Sequence, residues 1–204
     1  MQNIGIKKIV SIALMTAVIC VLSPFAIVTP LSTVPITLAT FAIYLTIIIL
    51  GWESGTISVV VYVLLGFAGA PVFTGFTGGA VKVMGPTGGY IIGYIFLAVV
   101  EGAFVEGARK TRPYEDEGAR KTRPYSATVG ASSTSAMIFV GMLLGTVVLY
   151  IFGTFWLMKQ SGITLVAAFF AGVVPFVIGD IVKMIVALFV GQKIRSILIK
   201  NNLI

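Results

Sequence analysis

Long apolar stretches, separated by short polar or Gly/Pro-rich connections, follow one another through most of this 204-residue chain. The first is Ile9–Val28, preceded by Lys7 and Lys8. A cleaved signal peptide would carry a small-residue site after a short apolar core. Here Ser23-Pro24 falls inside the run and no such site follows, so the stretch predicts a retained helix. Thr29–Pro35, with two prolines and three Ser/Thr residues, predicts a turn. Ile36–Leu50, Ser54–Ala70, Tyr90–Val105, Ser135–Met158 and Thr164–Gly191 predict five further helices. A bilayer span needs about 20 apolar residues, with a range of roughly 17–25. Ile36–Leu50 is short by that measure and is expected to tilt or to borrow from the preceding turn. Pro175 and Gly179 are expected to interrupt the last helix.

Pro71–Gly89 departs from the pattern with two prolines and six glycines. That composition argues against regular helix through most of it. Non-helical backbone near a membrane persists only where protein or water covers it. Val72, Phe73 and Phe76 make the segment apolar, so it is expected to fold back over the bundle.

Composition turns this pattern into a statement about solvent. Hydrophobic residues make up 58% of the chain and charged residues 10%, and mean hydropathy is +1.07. A soluble domain carries about 25% charged residues. The expected fold is therefore an all-α integral membrane protein: one membrane-embedded domain over residues 1–204, built as a bundle of six transmembrane helices. The single Cys20 lies in an apolar run and there is no His. This argues against a disulfide framework, a Cys or His metal site and His-based catalysis.

The net charge of +7 points to topology rather than nucleic acid. With alternate connections on alternate sides, one side receives Lys7, Lys8, the six Lys and Arg residues of the Arg109–Arg123 loop, Lys193, Arg195 and Lys200. These are eleven of the fourteen basic residues. The positive-inside rule places that side, with both termini, in the cytoplasm of a cell-membrane protein. Pro71–Gly89 then faces outward. Within the basic loop Glu106–Tyr114 recurs unchanged as Glu117–Tyr125. Two copies of a polar unit are too few for a solenoid. The 106–125 stretch reads as a disordered cytoplasmic loop. An engineered insertion and a basic surface for anionic lipid are the other readings.

Asp180 and Lys183 are the sharpest chemical signal. They lie inside the last run at i, i+3, on one helix face. An unpaired charge at the bilayer centre costs roughly 2.5–3.5 kcal/mol on insertion scales. The pair must therefore face the bundle interior or a wet cavity. A ligand site, a structural ion pair and a proton relay all satisfy that requirement. The other acidic residues are expected at or near run ends or in the basic loop. Gly85-Pro86-Thr87-Gly88-Gly89-Tyr90 lacks the Lys-Ser/Thr pair of a phosphate-binding loop. It is expected to be a close-packed turn, with Thr87 and Tyr90 offering hydrogen bonds near a cavity mouth. Lys82 either attracts an anionic solute or sits in solvent. Ala13 and Ala17 form a small-xxx-small face suited to internal packing or to docking another subunit.

Four stretches together resemble the BioY family, the biotin-specific S components of energy-coupling factor (ECF) transporters. They are Val34-Pro-Ile-Thr-Leu38, Gly69-Ala-Pro-Val-Phe73, Gly85–Tyr90 and Pro175–Lys183. The resemblance implies six helices with both termini inside, and biotin bound from outside beneath an extracellular loop between helices three and four. It implies ligand contacts at Asp180 and Lys183. Tyr90, Thr87, Gly79 and Phe73 are further candidate site residues on chemical grounds, with Phe73, Phe76 and Tyr90 expected to turn inward as aromatic walls. The resemblance gives Ala13 and Ala17 a contact with the transmembrane coupling subunit, with ATPase subunits on other chains. It implies no enzymatic activity and no cofactor, biotin being the transported ligand. Ala39 stands where family members often carry Gln, and the Arg109–Tyr125 insertion is longer than the loop expected there. A competing reading is an autonomous proton-coupled transporter driven by titration of the Asp–Lys pair. An intramembrane enzyme lacks the matched acid–base groups that such catalysis needs.

Overall fold

In a computed structural model the described residues are 5–27, 34–110, 133–201 and 203. The Arg109–Arg123 loop beyond Lys110, the second copy of the repeat and residues 29–33 of the expected turn lie outside them. The architecture is helical: α1 (Ile6–Leu22), α2 (Ala39–Leu50), α3 (Trp52–Phe67), α4 (Ala80–Met84), α5 (Gly88–Lys110), α6 (Ser133–Ser161), α7 (Leu165–Gly172) and α8 (Val174–Lys200). Two short strands, β1 (Ala26–Ile27) and β2 (Ile36–Thr37), pair antiparallel between α1 and α2. Among the described residues three helical stretches are long and apolar enough to cross a membrane: Gly88–Lys110, Thr134–Ser161 and Leu165–Lys200, the last containing α7 and α8. α2 and α3 are shorter apolar helices of 12 and 16 residues.

Proline and glycine set several element ends. α1 stops at Leu22, not at Val28: the Ser23 N–H still bonds to the Ile19 carbonyl, but Pro24 supplies no N–H to continue the ladder. The last apolar run divides into α7 and α8 at Val173, whose φ of −124° and ψ of −57° leave the helical region. The break is not where Pro175 and Gly179 suggested. Pro175 occupies the first turn of α8, where a missing N–H forfeits no intrahelical bond. Gly179 lies in regular helix with open space around it. α8 then continues through the basic tail to Lys200.

α2 forms the centre. From Ala39 to Ile49 all its residues except Phe41 are buried, and it packs against α1, α3, α5 and α8. A helix apolar all round is a core helix rather than an amphipathic one. α5 and α6 lie along each other, and small residues permit the approach. A methyl on Gly141 would meet Phe104, and one on Gly145 would meet the Leu97 carbonyl. Outward faces remain apolar: Leu143, Val147, Ile151 and Phe155 on α6, and Ile178, Val182 and Phe189 on α8, are exposed. So extensive an apolar surface is unstable in water and stable in acyl chains. The protein is membrane-embedded.

The segment between α3 and α5 folds against its neighbours. Phe73 is 1% exposed and meets Tyr62 edge-on at 5.6 Å. The Gly75 N–H donates to the Pro24 carbonyl at 2.9 Å. Trp156 Nε1 donates to the Gly85 carbonyl at 3.0 Å. Phe76, expected to face inward, is instead 62% exposed, with its ring 5.7 Å from that of Phe25.

Gly88 and Gly179 provide a contrast. A methyl on Gly88 would fall on the Val83 carbonyl oxygen, which belongs to the backbone and cannot swing away. Gly88→Ala should cost about 1–3 kcal/mol and lower the thermal midpoint in detergent by roughly 3–10 °C. Gly179→Ala meets no neighbouring atom and should leave the midpoint unchanged or slightly raised.

Candidate functional site

The site begins with helix geometry. In α8 the three-residue spacing places Asp180 and Lys183 on the face turned toward the N-terminal end of α2. Lys183 Nζ lies 2.8 Å from Asp180 Oδ1, with side-chain exposures of 13% and 5%. The ammonium also donates to the Thr37 carbonyl at 2.7 Å and to Thr40 Oγ1 at 3.2 Å. Thr40 Oγ1 in turn donates to Asp180 Oδ1 at 3.2 Å. On the other flank the Tyr150 hydroxyl of α6 donates to Asp180 Oδ2 at 2.6 Å.

Counting donors and acceptors shows what remains. An ammonium has three protons, and Lys183 has three partners. A carboxylate offers about four lone-pair positions. Asp180 accepts from Lys183, Thr40 and Tyr150, so one position on Oδ2 is open to a further donor. Lys183 can serve a ligand acceptor only by releasing a partner, and the Thr40 hydroxyl, at 3.2 Å the longest of its three contacts, is the one a small rotation frees.

This cluster forms one wall of a cavity of about 50 Å³. Asp180 and Lys183 share it with Tyr90, Thr87, Thr74 and Tyr94, while Val34, Leu149 and Phe176 supply apolar wall. The volume holds a few water molecules at roughly 10–15 Å³ each, and is far below the roughly 300 Å³ at which small-ligand pockets begin. Tyr90 is anchored by donating to the Gly172 carbonyl at 2.9 Å, at the end of α7. A second, apolar groove of about 600 Å³ runs between α6, α7 and α8. Tyr150 and Asp180 line both spaces, so their hydrogen bond lies on the partition.

Of the residues singled out from the sequence, Asp180, Lys183, Tyr90 and Thr87 meet at this cavity. Phe73 and Gly79 do not line it. Phe73 packs beneath the loop on Tyr62, and the Gly79 N–H donates to the Gly66 carbonyl at 2.7 Å. Ala13 and Ala17 are exposed, on the side of α1 away from its buried Met15, Thr16 and Ile19. They therefore do not pack inside the bundle. Tyr150 and Thr40 went unrecognised, because a hydroxyl within an apolar run carries no periodic or charge signal. Glu101 was read as sitting near a run end. α5 extends five residues beyond Val105, to Lys110, so Glu101 is interior, 0% exposed, and neither carboxyl oxygen has a partner among the described residues.

Comparison with known proteins settles the family. A family model described as the BioY family matches residues 1–200. The chain belongs to the BioY family. It is 32% identical over 202 residues to the biotin transporter BioY2 of Lactococcus lactis, covering 99% of this chain and 97% of that one. It is 31% identical to the biotin transporter BioY of Thermotoga maritima, covering 94% and 97%. A crystal structure of the S-component for biotin from an ECF-type ABC transporter superposes with a TM-score of 0.78 at 29% identity, covering 96% and 94%.

Within this BioY protein the ion pair is open to a stability test. Removing one member of a buried pair leaves an uncompensated charge and costs about 3–5 kcal/mol. Lys183→Met should therefore sharply lower the thermal midpoint. The double variant Asp180→Asn/Lys183→Met should recover most of the loss in the same assay. Single and double variants that melt alike would show that the two charges are not coupled.

Proposed function

We propose that this chain binds biotin from the outer side of the membrane and is the substrate-capture component of an ECF-type transporter. The observation that carries the reading is the Asp180–Lys183 pair, hydrogen-bonded to Thr37, Thr40 and Tyr150 at the wall of an internal cavity. The biotin-binding S-component of similar fold and the biotin-transporting relatives support it.

The ureido ring of biotin has two N–H donors and one carbonyl acceptor. The open position on Asp180 Oδ2 takes one ureido N–H; the second N–H diverges from it and faces away from this carboxylate. Lys183, after leaving Thr40, donates to the carbonyl. Tyr90, Tyr94, Leu149 and Phe176 enclose the thioether ring and alkyl tail. A ligand without matching polar groups would leave buried donors and acceptors unpaired, which is the strongest form of rejection available to such a pocket.

A bicyclic ligand does not fit in 50 Å³, so the walls must part on entry. The 71–87 loop is the lid in this account, since it supplies Thr74 and Thr87 to the cavity. Gly69, Gly75 and Gly79, with φ of 110°, 72° and 92°, give it backbone freedom that other residues lack. The spans are α1, α2, α3, α5, α6 and α7–α8, six in all, with both termini cytoplasmic by the positive-inside rule. Ala13 and Ala17 let the coupling subunit approach α1 closely. ATPase subunits of the same module supply the energy.

Purified protein should bind labelled biotin at equilibrium without ATP. A hydrogen bond to a charged group contributes about 1.5–3 kcal/mol, so Asp180→Asn should weaken binding roughly 10- to 150-fold. Unchanged affinity in that variant would remove Asp180 from the site. Proton-driven uptake by the chain reconstituted alone would replace the ECF account with an autonomous transporter.

A further inference from the structure

A second concave site lies at the end of the bundle where α1 and α3 begin and where α2 and α8 end. Its volume is about 390 Å³, within the roughly 300–1,000 Å³ of small-ligand sites. Its lining includes Lys7 and Lys8 from the first turn of α1, Arg195 from α8, and the hydroxyl-bearing Ser11 and Ser54. Among the described residues it contains three cationic side chains and no acidic one. Glu53, outside the lining, reaches Lys8 Nζ at 2.8 Å and takes one of its three protons.

The local backbone adds to the positive field. α1 and α3 direct their N-terminal, positive ends toward this site. The opposing carbonyl end of α2 is covered, because Arg195 donates to the Ile49 carbonyl and Arg109 donates to the Ile48 carbonyl at 3.1 Å. Ile199 of α8, 38% exposed, is part of the lining, and the outward faces of the same two helices are apolar: Ile6, Ile9 and Val10 of α1 are 81%, 54% and 58% exposed, and Ile197 of α8 is 50% exposed. A soluble anion would have no use for such a border, whereas acyl chains can lie along it.

We propose that this pocket binds the phosphate headgroup of an anionic glycerophospholipid, with the acyl chains against α1 and α8. Basic pockets between transmembrane helices at the cytoplasmic side bind headgroups of this kind. The site depends on membrane embedding and not on the vitamin, so the two readings can fail separately. A bound lipid would clamp the first turn of α1 to α3 and α8, at the foot of the helix that carries Ala13 and Ala17.

The test is a native mass spectrometry titration of the detergent-purified full chain with phosphatidylglycerol, phosphatidylcholine and inorganic phosphate. Phosphatidylglycerol should bind with one preferred stoichiometric site, and phosphatidylcholine should not compete for it. Lys7→Gln/Lys8→Gln should weaken that binding roughly 10- to 30-fold. Lys82→Gln/Lys159→Gln, which removes the same charge elsewhere, should leave it unchanged. The thermal midpoint in detergent should be within a few degrees of the parent in both double variants, which shows that the protein is folded. Equal binding of the two lipids, or no loss in Lys7→Gln/Lys8→Gln, overturns the proposal. Displacement of the lipid by inorganic phosphate at equal concentration overturns it in favour of a free-anion site.

Discussion

The structure depends on keeping one ammonium and one carboxylate inside a helical bundle that lipid surrounds. In a medium of low dielectric the charges attract strongly, but removing them from water is costly, and only good geometry with additional hydrogen bonds offsets that cost. Asp180 and Lys183 meet the condition with three elements besides their own helix. β2 supplies the Thr37 carbonyl, α2 the Thr40 hydroxyl and α6 the Tyr150 hydroxyl. The position of α2 follows from this requirement. Its N-terminal end must reach the pair, and its remaining turns are packed on all sides by α1, α3, α5 and α8.

The same cluster links packing to capture. A polar network this well satisfied holds its walls together, and the cavity beside it is correspondingly small. Binding must exchange some internal hydrogen bonds for bonds to the ligand, so the net affinity is a difference between two similar polar arrangements. This favours a solute whose donors and acceptors reproduce the ones displaced. It also favours an entrance made from a segment with few regular bonds, and the loop between α3 and α5 has that character. It is fastened at particular points, such as Gly75 to Pro24 and Gly85 to Trp156, rather than by a continuous ladder.

Much of this was legible in the chain. The apolar runs marked where α3, α5 and α6 lie, and the charge pair within the last run marked the site, because a buried charge is conspicuous against a background of Ile, Val and Phe. The family resemblance is carried by the stretch that holds this pair, Pro175–Lys183, and by three connecting segments, Val34–Leu38, Gly69–Phe73 and Gly85–Tyr90. Other features were hidden for physical reasons. Pro175 looks like a break in sequence, yet a first helical turn accommodates proline and the chain bends at Val173 instead. Tyr150 and Thr40 become site residues only through tertiary placement. Glu101 was masked by an apolar run that ended before the helix did. Phe76 and Phe73 sit three residues apart in one glycine-rich loop, and composition cannot distinguish which of them turns inward.

The account's central claim is that biotin replaces internal partners of Asp180 and Lys183 in a cavity beneath the α3–α5 loop. A structure of the protein with biotin bound tests it most directly. The ureido ring should lie within hydrogen-bonding distance of both side chains, with one N–H on Asp180 Oδ2, Lys183 released from Thr40 and the 71–87 loop closed over the ligand. Biotin seated in the α6–α8 groove, with the Asp180, Lys183, Thr40 and Tyr150 bonds intact, would contradict the claim.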